Sequence, residues 1–337
     1  MKLKTKTLSA VVLAASALFG LSAQAGTVIY NTGSALTATV ALGVNDDGSL
    51  NTSDGSIVAN SGATGLAFKF ADGSWRDATS PGCLCEGWGV SANGTVSGWA
   101  NQNFGVATGL TFGAATGVTG STVTTTTSLT SLSGLVVTQA YKPSTSAPGA
   151  LFRVDVTISN TTGSALTDVK YVRVMDWDVP LTEFSEYVTI KGTASTTLLE
   201  ESGANGFNSS DPLASYGASG YGCHNSDCTD AGPADHGAYF RFNFGSLADG
   251  ESYTFSIFYG AAGSEADALA AVSAEGLELY SFGQSNGGEG TGAPATYIFG
   301  FTGVGGTPVE GVPEPGSLAL IGLGLAGLAA ARRRKQA

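Results

Sequence analysis

The stretch LFRVDVTISNTTGSALTDVKYVRVMDWDVP, residues 151 to 180, decides the fold class. From Leu151 to Ser159, Phe152, Val154, Val156 and Ile158 alternate with Arg153, Asp155, Thr157 and Ser159. A period of two gives a strand with one core face and one wet face, the pattern of an antiparallel sheet. Asn160-Thr161-Thr162-Gly163 reads as a turn, and Leu166 to Asp176 returns through Val169, Tyr171 and Val172 to Met175. Strand, turn and strand together predict a hairpin.

Working outward, the same grammar recurs. Strands are expected at Thr27 to Asn31, Leu36 to Val44, Gly65 to Phe70, Val123 to Leu132, Tyr187 to Ile190, Tyr239 to Phe244, Tyr253 to Tyr259 and Thr296 to Thr302. Glycine-rich turns separate them, in keeping with 49 Gly in 337 residues. The segment from Phe70 to Gly105 is rich in Gly, Asn, Trp and Cys and weak in periodicity, so a structured loop is expected there. One helix is predicted: Ser264 caps it, Asp267 completes a capping box, and Gly276 stops it. The fold class is mainly β, an antiparallel β-sandwich over residues 26–302 in one large or two stacked units. No fixed-period repeat supports a solenoid or propeller.

The two ends carry addresses. Lys2, Lys4 and Lys6 precede an apolar core from Leu8 to Leu21, and Ala23-Gln24-Ala25 has the small-x-small form of a signal-peptidase site. Residues 1–25 therefore read as a signal peptide cleaved before Gly26. After a glycine-rich linker, 303–311, come Val312, Pro313, Glu314 and Pro315, an apolar segment over 316–331, and Arg332, Arg333, Arg334 and Lys335. Two prolines two apart keep the motif extended and open to a processing enzyme. The apolar run predicts a transmembrane helix at the short end of the range, with the basic cluster holding its end on the cytoplasmic side. Residues 312–337 resemble the PEP-CTERM sorting signal of Gram-negative bacteria. The resemblance implies removal of the tail by an exosortase-like membrane enzyme and delivery to the cell surface or exopolysaccharide matrix. The body is similar to other exported proteins bearing this tail through CLCEGWGVSANG (83–94), YVRVMDWDVP (171–180), EYVTI (186–190) and GPADHGA (232–238). No activity is implied by that similarity.

Between the two signals eight Lys and Arg stand against 27 Asp and Glu once the sorting motif is counted, a net charge of −19. Such a surface repels nucleic acid and suits solubility outside the cell. Four cysteines, Cys83, Cys85, Cys223 and Cys228, predict disulfides in an exported chain. Spacing leaves three connectivities open; a Cys223 to Cys228 bridge closes most easily, and a Cys83 to Cys85 bridge would strain the backbone around Leu84.

The inventory for catalysis is thin. The two histidines, His224 and His236, share the loop from Tyr221 to Gly237, and no nucleophile elbow or zincin helix is present. Asp176 and Asp178 point to one face if that segment is a strand, with Glu183 and Glu186 close behind and Trp177 turned to the core. Clustered carboxylates suit calcium, or a glycosidase pair given a sugar cleft. Asp46 and Asp47 offer a second calcium position, although the turn fails the EF-hand template. The cysteines and histidines around residue 228 suit zinc only if the thiols are free. Trp75, Trp88 and Trp99 could stack on sugar rings or simply pack the glycine-rich segment.

The expectation is an exported surface or exopolysaccharide-matrix protein, structural or adhesive, not an enzyme and needing no cofactor. A carbohydrate-binding module, calcium-dependent in one version, is the alternative, and a glycan-active enzyme the third reading. Expected partners are signal peptidase, an exosortase-like enzyme, the membrane through the C-terminal helix before processing, and exopolysaccharide; nucleic acid is not among them.

Overall fold

The structure, a computed structural model, describes residues 25–309 apart from 105, 218–221 and 287–293. Residues 1–24 of the expected signal peptide (1–25) and the expected sorting tail, 312–337, lie outside the described residues. Three sheets, antiparallel throughout, make up the body.

A four-stranded sheet runs β1 (Gly26–Tyr30), β2 (Val40–Asn45), β3 (Leu66–Lys69), β4 (Trp75–Asp77). A six-stranded sheet contains β5 (Gly87–Ala92), β6 (Val96–Asn101), β7 (Val106–Thr108), β12 (Lys170–Asp176), β14 (Leu199–Gly203) and β16 (Gly237–Asn243), in the order β14-β16-β12-β5-β6-β7. The nine-stranded sheet is built from β8 (Leu110–Phe112), β9 (Val123–Leu129), β10 (Leu132–Pro143), β11 (Leu151–Asn160), β13 (Glu186–Lys191), β15 (Cys228–Ala234), β17 (Ser252–Ala262), β18 (Leu279–Ser285) and β19 (Thr296–Thr302). Its order is β15-β13-β18-β19-β17-β11-β10-β9-β8.

The two larger sheets face each other across an aromatic core. Phe240 on β16 meets Phe299 and Phe301 on β19, and Tyr171 on β12 meets Phe255 on β17 edge to face with centroids 5.1 Å apart. One apolar cluster runs through residues of all three sheets. The helix α1 (Glu265–Glu275) lies on the opposite side of the nine-stranded sheet, burying Ala268, Ala271 and Val272 against Phe258, Phe282 and Ile298. Its caps are those the sequence predicts: Ser264 accepts from the Asp267 amide, and Gly276 takes the left-handed conformation.

Two expectations need correction. Residues 151–160 and 170–176 do not form a hairpin. β11 pairs with β10 and β17, whereas β12 pairs with β5 and β16 in the other sheet. Leu166 bridges Leu247, and the Asn160 side-chain amide donates to the carbonyls of Ser164 and Leu247, so the turn carries the chain across the core. The segment after Phe70 is not a loop. It contains β4, β5 and β6, and Asn93 and Gly94, both left-handed with φ of 57° and 63°, turn a tight hairpin. Its glycines serve close approach: a Cβ on Gly89 would lie 2.1 Å from the Ser210 carbonyl. The start of the expected linker is also held. The amides of Gly303, Val304 and Gly306 donate to the Glu278 carboxylate at 2.8 to 3.0 Å.

Candidate functional site

At one end of the layered body the chain gathers carboxylates. β12 ends at Asp176, and the backbone stays pinned beyond it: the Trp177 amide donates to the His236 carbonyl and the Asp178 amide to the Ala78 carbonyl. Trp177 turns into the core, donating its indole N–H to Ser281 and lying over Gly283. Alternation then points Asp176 and Asp178 the other way, as their spacing predicts. Asp235, in the link from β15 to β16, brings its carboxylate to the same place. One oxygen from each of Asp176, Asp178 and Asp235 lies within 4.8 Å of the others.

Asp176 is 2% exposed and Asp178 is fully buried. Glu186, buried at the start of β13, accepts the His236 amide on Oε1 and has no hydrogen-bond partner for Oε2. Neither oxygen of Asp178 has a hydrogen-bond partner, nor does Oδ1 of Asp176. Gly206 lets the backbone close over the group, since a Cβ there would lie 2.6 Å from Asp176 Cα and 2.8 Å from its Oδ1. The Cys83 sulfur sits 3.4 Å from Asp176 Oδ2.

Burial, with the neighbouring charge of Asp235, pushes the Asp176 carboxyl up to about 8. Burial and then Asp176 and Asp235 push Asp178 to about 9. Burial lifts Glu186 to about 9, against the His236 amide and with Asp178, Asp235 and Asp176 adding to it. Burial also raises Asp235 and lowers the His236 imidazole. Such a group can hold protons or a cation, but not four bare negative charges. A glycosidase pair needs an open cleft that admits a sugar, and burial of Asp176 and Asp178 works against that use.

The cysteines pair locally, Cys83 with Cys85 and Cys223 with Cys228. The expectation of backbone strain at Leu84 does not prevent the first bridge, whose Cα atoms are 5.2 Å apart. With Cys223 and Cys228 bridged, the thiol ligands of a zinc site are absent there. His224 stacks on Tyr216, and its Nε2 lies 2.9 Å from Glu201.

The family model of the PEP-CTERM protein-sorting motif matches residues 311–335. The chain carries a PEP-CTERM sorting motif. It is accordingly an exported protein, sorted to the cell envelope and processed by exosortase, a membrane enzyme. No curated protein matches the chain.

In this PEP-CTERM protein Val312, Pro313, Glu314, Pro315, Arg332, Arg333 and Arg334 fall inside the matched segment and outside the described residues. Ala23 also lies outside them. Ala25 is exposed, and Gly26 opens β1 with its amide 3.0 Å from Asp54.

The remaining expected site residues are dispersed. Asp46 and Asp47 spend their carboxylates on protein donors. Asp46 takes the Ala115 amide, and Asp47 takes the Ser49 amide and hydroxyl. Both are bound up away from the cluster at Asp176. Trp88 is fully buried, stacked on Tyr171 and donating to the Asp47 carbonyl. Trp75 is 9% exposed and packs edge-on against Tyr30. Trp99 lines a surface hollow of about 320 Å³ with Phe207, Ser209 and Ser210. Sequence reading missed Asp235 as a partner of Asp176. The two lie far apart in the chain, and only the crossing of strands between sheets joins them.

Proposed function

We propose that this PEP-CTERM protein is a non-catalytic structural or adhesive component of the cell surface or exopolysaccharide matrix. The observation that carries this reading is the outer face of the nine-stranded sheet beyond the cover of α1. Thr126, Thr138, Thr157 and Thr254 stand in one row across β9, β10, β11 and β17. Ser128, Ser159 and Ser252 belong to the next row, with Val136 between the first two. Facing hydroxyls pair across strands, Thr157 with Thr254 at 3.2 Å and Ser159 with Ser252 at 2.8 Å. A regular field of neutral hydroxyls on a rigid sheet matches the hydrogen-bonding surface of a polysaccharide, and the acidic body keeps such a protein soluble until it engages.

Co-sedimentation with exopolysaccharide from the native host tests it. The full chain should pellet with the polymer, and Thr138→Glu with Thr157→Glu should lose most of that retention while keeping the β spectrum. Retention equal to wild type would contradict the reading.

A second reading rests on Trp99 and Phe207, whose hollow offers a ring and the Ser209 and Ser210 hydroxyls to a single sugar unit. Trp99→Ala separates the two. It should abolish binding of short oligosaccharides if the hollow is the site, and leave polymer retention intact if the sheet face is.

A further inference from the structure

Among the described residues six acidic side chains are nearly or fully buried: Asp47, Asp77, Glu86, Asp176, Asp178 and Glu186. Three are provided for by protein donors. Asp77 accepts the amides of Gly65 and Thr79, Asp47 those already named, and Glu86 the Leu50 amide and the Arg173 guanidinium. The other three crowd together at the end of β12. Asp178 has no donor on either oxygen, and Asp176 and Glu186 each keep one bare oxygen. A buried carboxylate without a donor costs several kcal/mol, so a fold that satisfies its other buried acids leaves this group open for something that is not protein.

We propose that Asp176, Asp178 and Asp235 bind a divalent cation of the hard, oxygen-seeking class, calcium, with Glu186 close enough to feel the same charges. The converging atoms are all carboxylate oxygens. Cys83 and Cys85 are bridged, and the imidazole nitrogens of His236 are not among the converging atoms, so the donor set is that of calcium rather than zinc. Three or four carboxylates give a charge that a divalent ion offsets well, and affinity for calcium rises with the number of charged ligands. Gly206, pressed against Asp176, fixes that carboxylate from behind.

The placement carries a consequence. Asp176 ends a strand of the six-stranded sheet, Glu186 begins a strand of the nine-stranded sheet, and Asp235 lies in the connection between the two sheets. A bound ion would fasten the layers together at that end. Calcium would therefore stiffen the body outside the cell, whatever ligand its surface binds.

The test uses the full chain in detergent, stripped with chelator and titrated with calcium chloride alone. Calorimetry should show one ion per chain, and calcium at about 1 mM, the level that extracellular calcium modules respond to, should raise the melting temperature. Asp178→Asn should weaken binding at least about tenfold and remove the calcium-dependent rise, and Asp46→Asn should leave both unchanged. Asp235→Asn, at a less buried position, supplies a second variant should Asp178→Asn not fold. A wild-type chain that takes up no stoichiometric calcium and melts alike with calcium and with chelator overturns the proposal. So does wild-type affinity in folded Asp178→Asn, or zinc uptake in place of calcium.

Discussion

Arg173 and Glu86 meet in the middle of the body, and neither side chain is exposed to solvent. The guanidinium also donates to Gln139 at 2.7 Å and to the Gly48 carbonyl at 3.1 Å, while the second oxygen of Glu86 accepts the Leu50 amide at 2.7 Å. Arg173 lies on β12 of the six-stranded sheet and Gln139 on β10 of the nine-stranded sheet, so the pair links both layers to the turn around Gly48. Burial alone would favour neutral forms; the mutual charge holds Arg173 protonated.

Breaking that pair from one side strands the other charge. Arg173→Met should cost about 3 to 5 kcal/mol in urea unfolding. A loss below about 1 kcal/mol, the worth of a surface pair, would show that the network contributes no more than exposed charges do.

Thr127 faces the core from β9, and its hydroxyl has no hydrogen-bond partner. Thr127→Val keeps the shape and removes the orphan donor, so the variant should gain about 1 kcal/mol. Destabilisation on the same scale would mean that the hydroxyl is satisfied.

Two partly buried carboxylates, Asp155 and Glu200, contribute to the acid limb of stability. Burial raises both, yet the hydrogen bonds from Lys142 and Arg153 hold Asp155 below its ordinary value, and Lys170 with Arg241 does the same for Glu200. A depressed carboxyl contributes stability above the unfolded pKa, about 4, and loses it as the pH falls through the folded value. Melting temperature should drop as the pH is lowered below about 4, and Asp155→Asn with Glu200→Gln should flatten that limb. An unchanged slope in the double variant contradicts the assignment.

The disulfides should matter little to equilibrium stability. They join residues two and five apart, and closing so short a loop removes little entropy from the unfolded chain. Reduction of the folded protein should lower the melting temperature by only a few degrees. A collapse of the fold would show a larger structural duty.

Much of this architecture can be read from residues alone, for definite reasons. Alternation marks β11, and the strand Thr296–Thr302 has its predicted ends. Ser264, Asp267 and Gly276 mark the helix because caps are local chemistry. Pairing is not local: β11 and β12 read as a hairpin, yet the buried faces of β12 send it between β5 and β16. Asn93-Gly94 was a hairpin signal hidden in a glycine-rich stretch, where glycines that serve close packing look like turn glycines. At the acidic site the Asp176 and Asp178 spacing is visible in sequence, but Asp235 and the missing donors are properties of the folded chain. The tryptophans divided for the same reason, because nothing in their spacing separates buried Trp88 from Trp99 at the surface.

Export and tail processing are tested most directly by the intact mass of the chain recovered from the envelope and medium of its native host, with and without reductant. The chain should begin at Gly26, lack the tail after the Val312 to Pro315 motif, and gain the four hydrogens of two disulfides on reduction. A mature chain that still carries Arg332 to Ala337 would contradict tail processing, because a stably anchored membrane protein is not a sorted and released one.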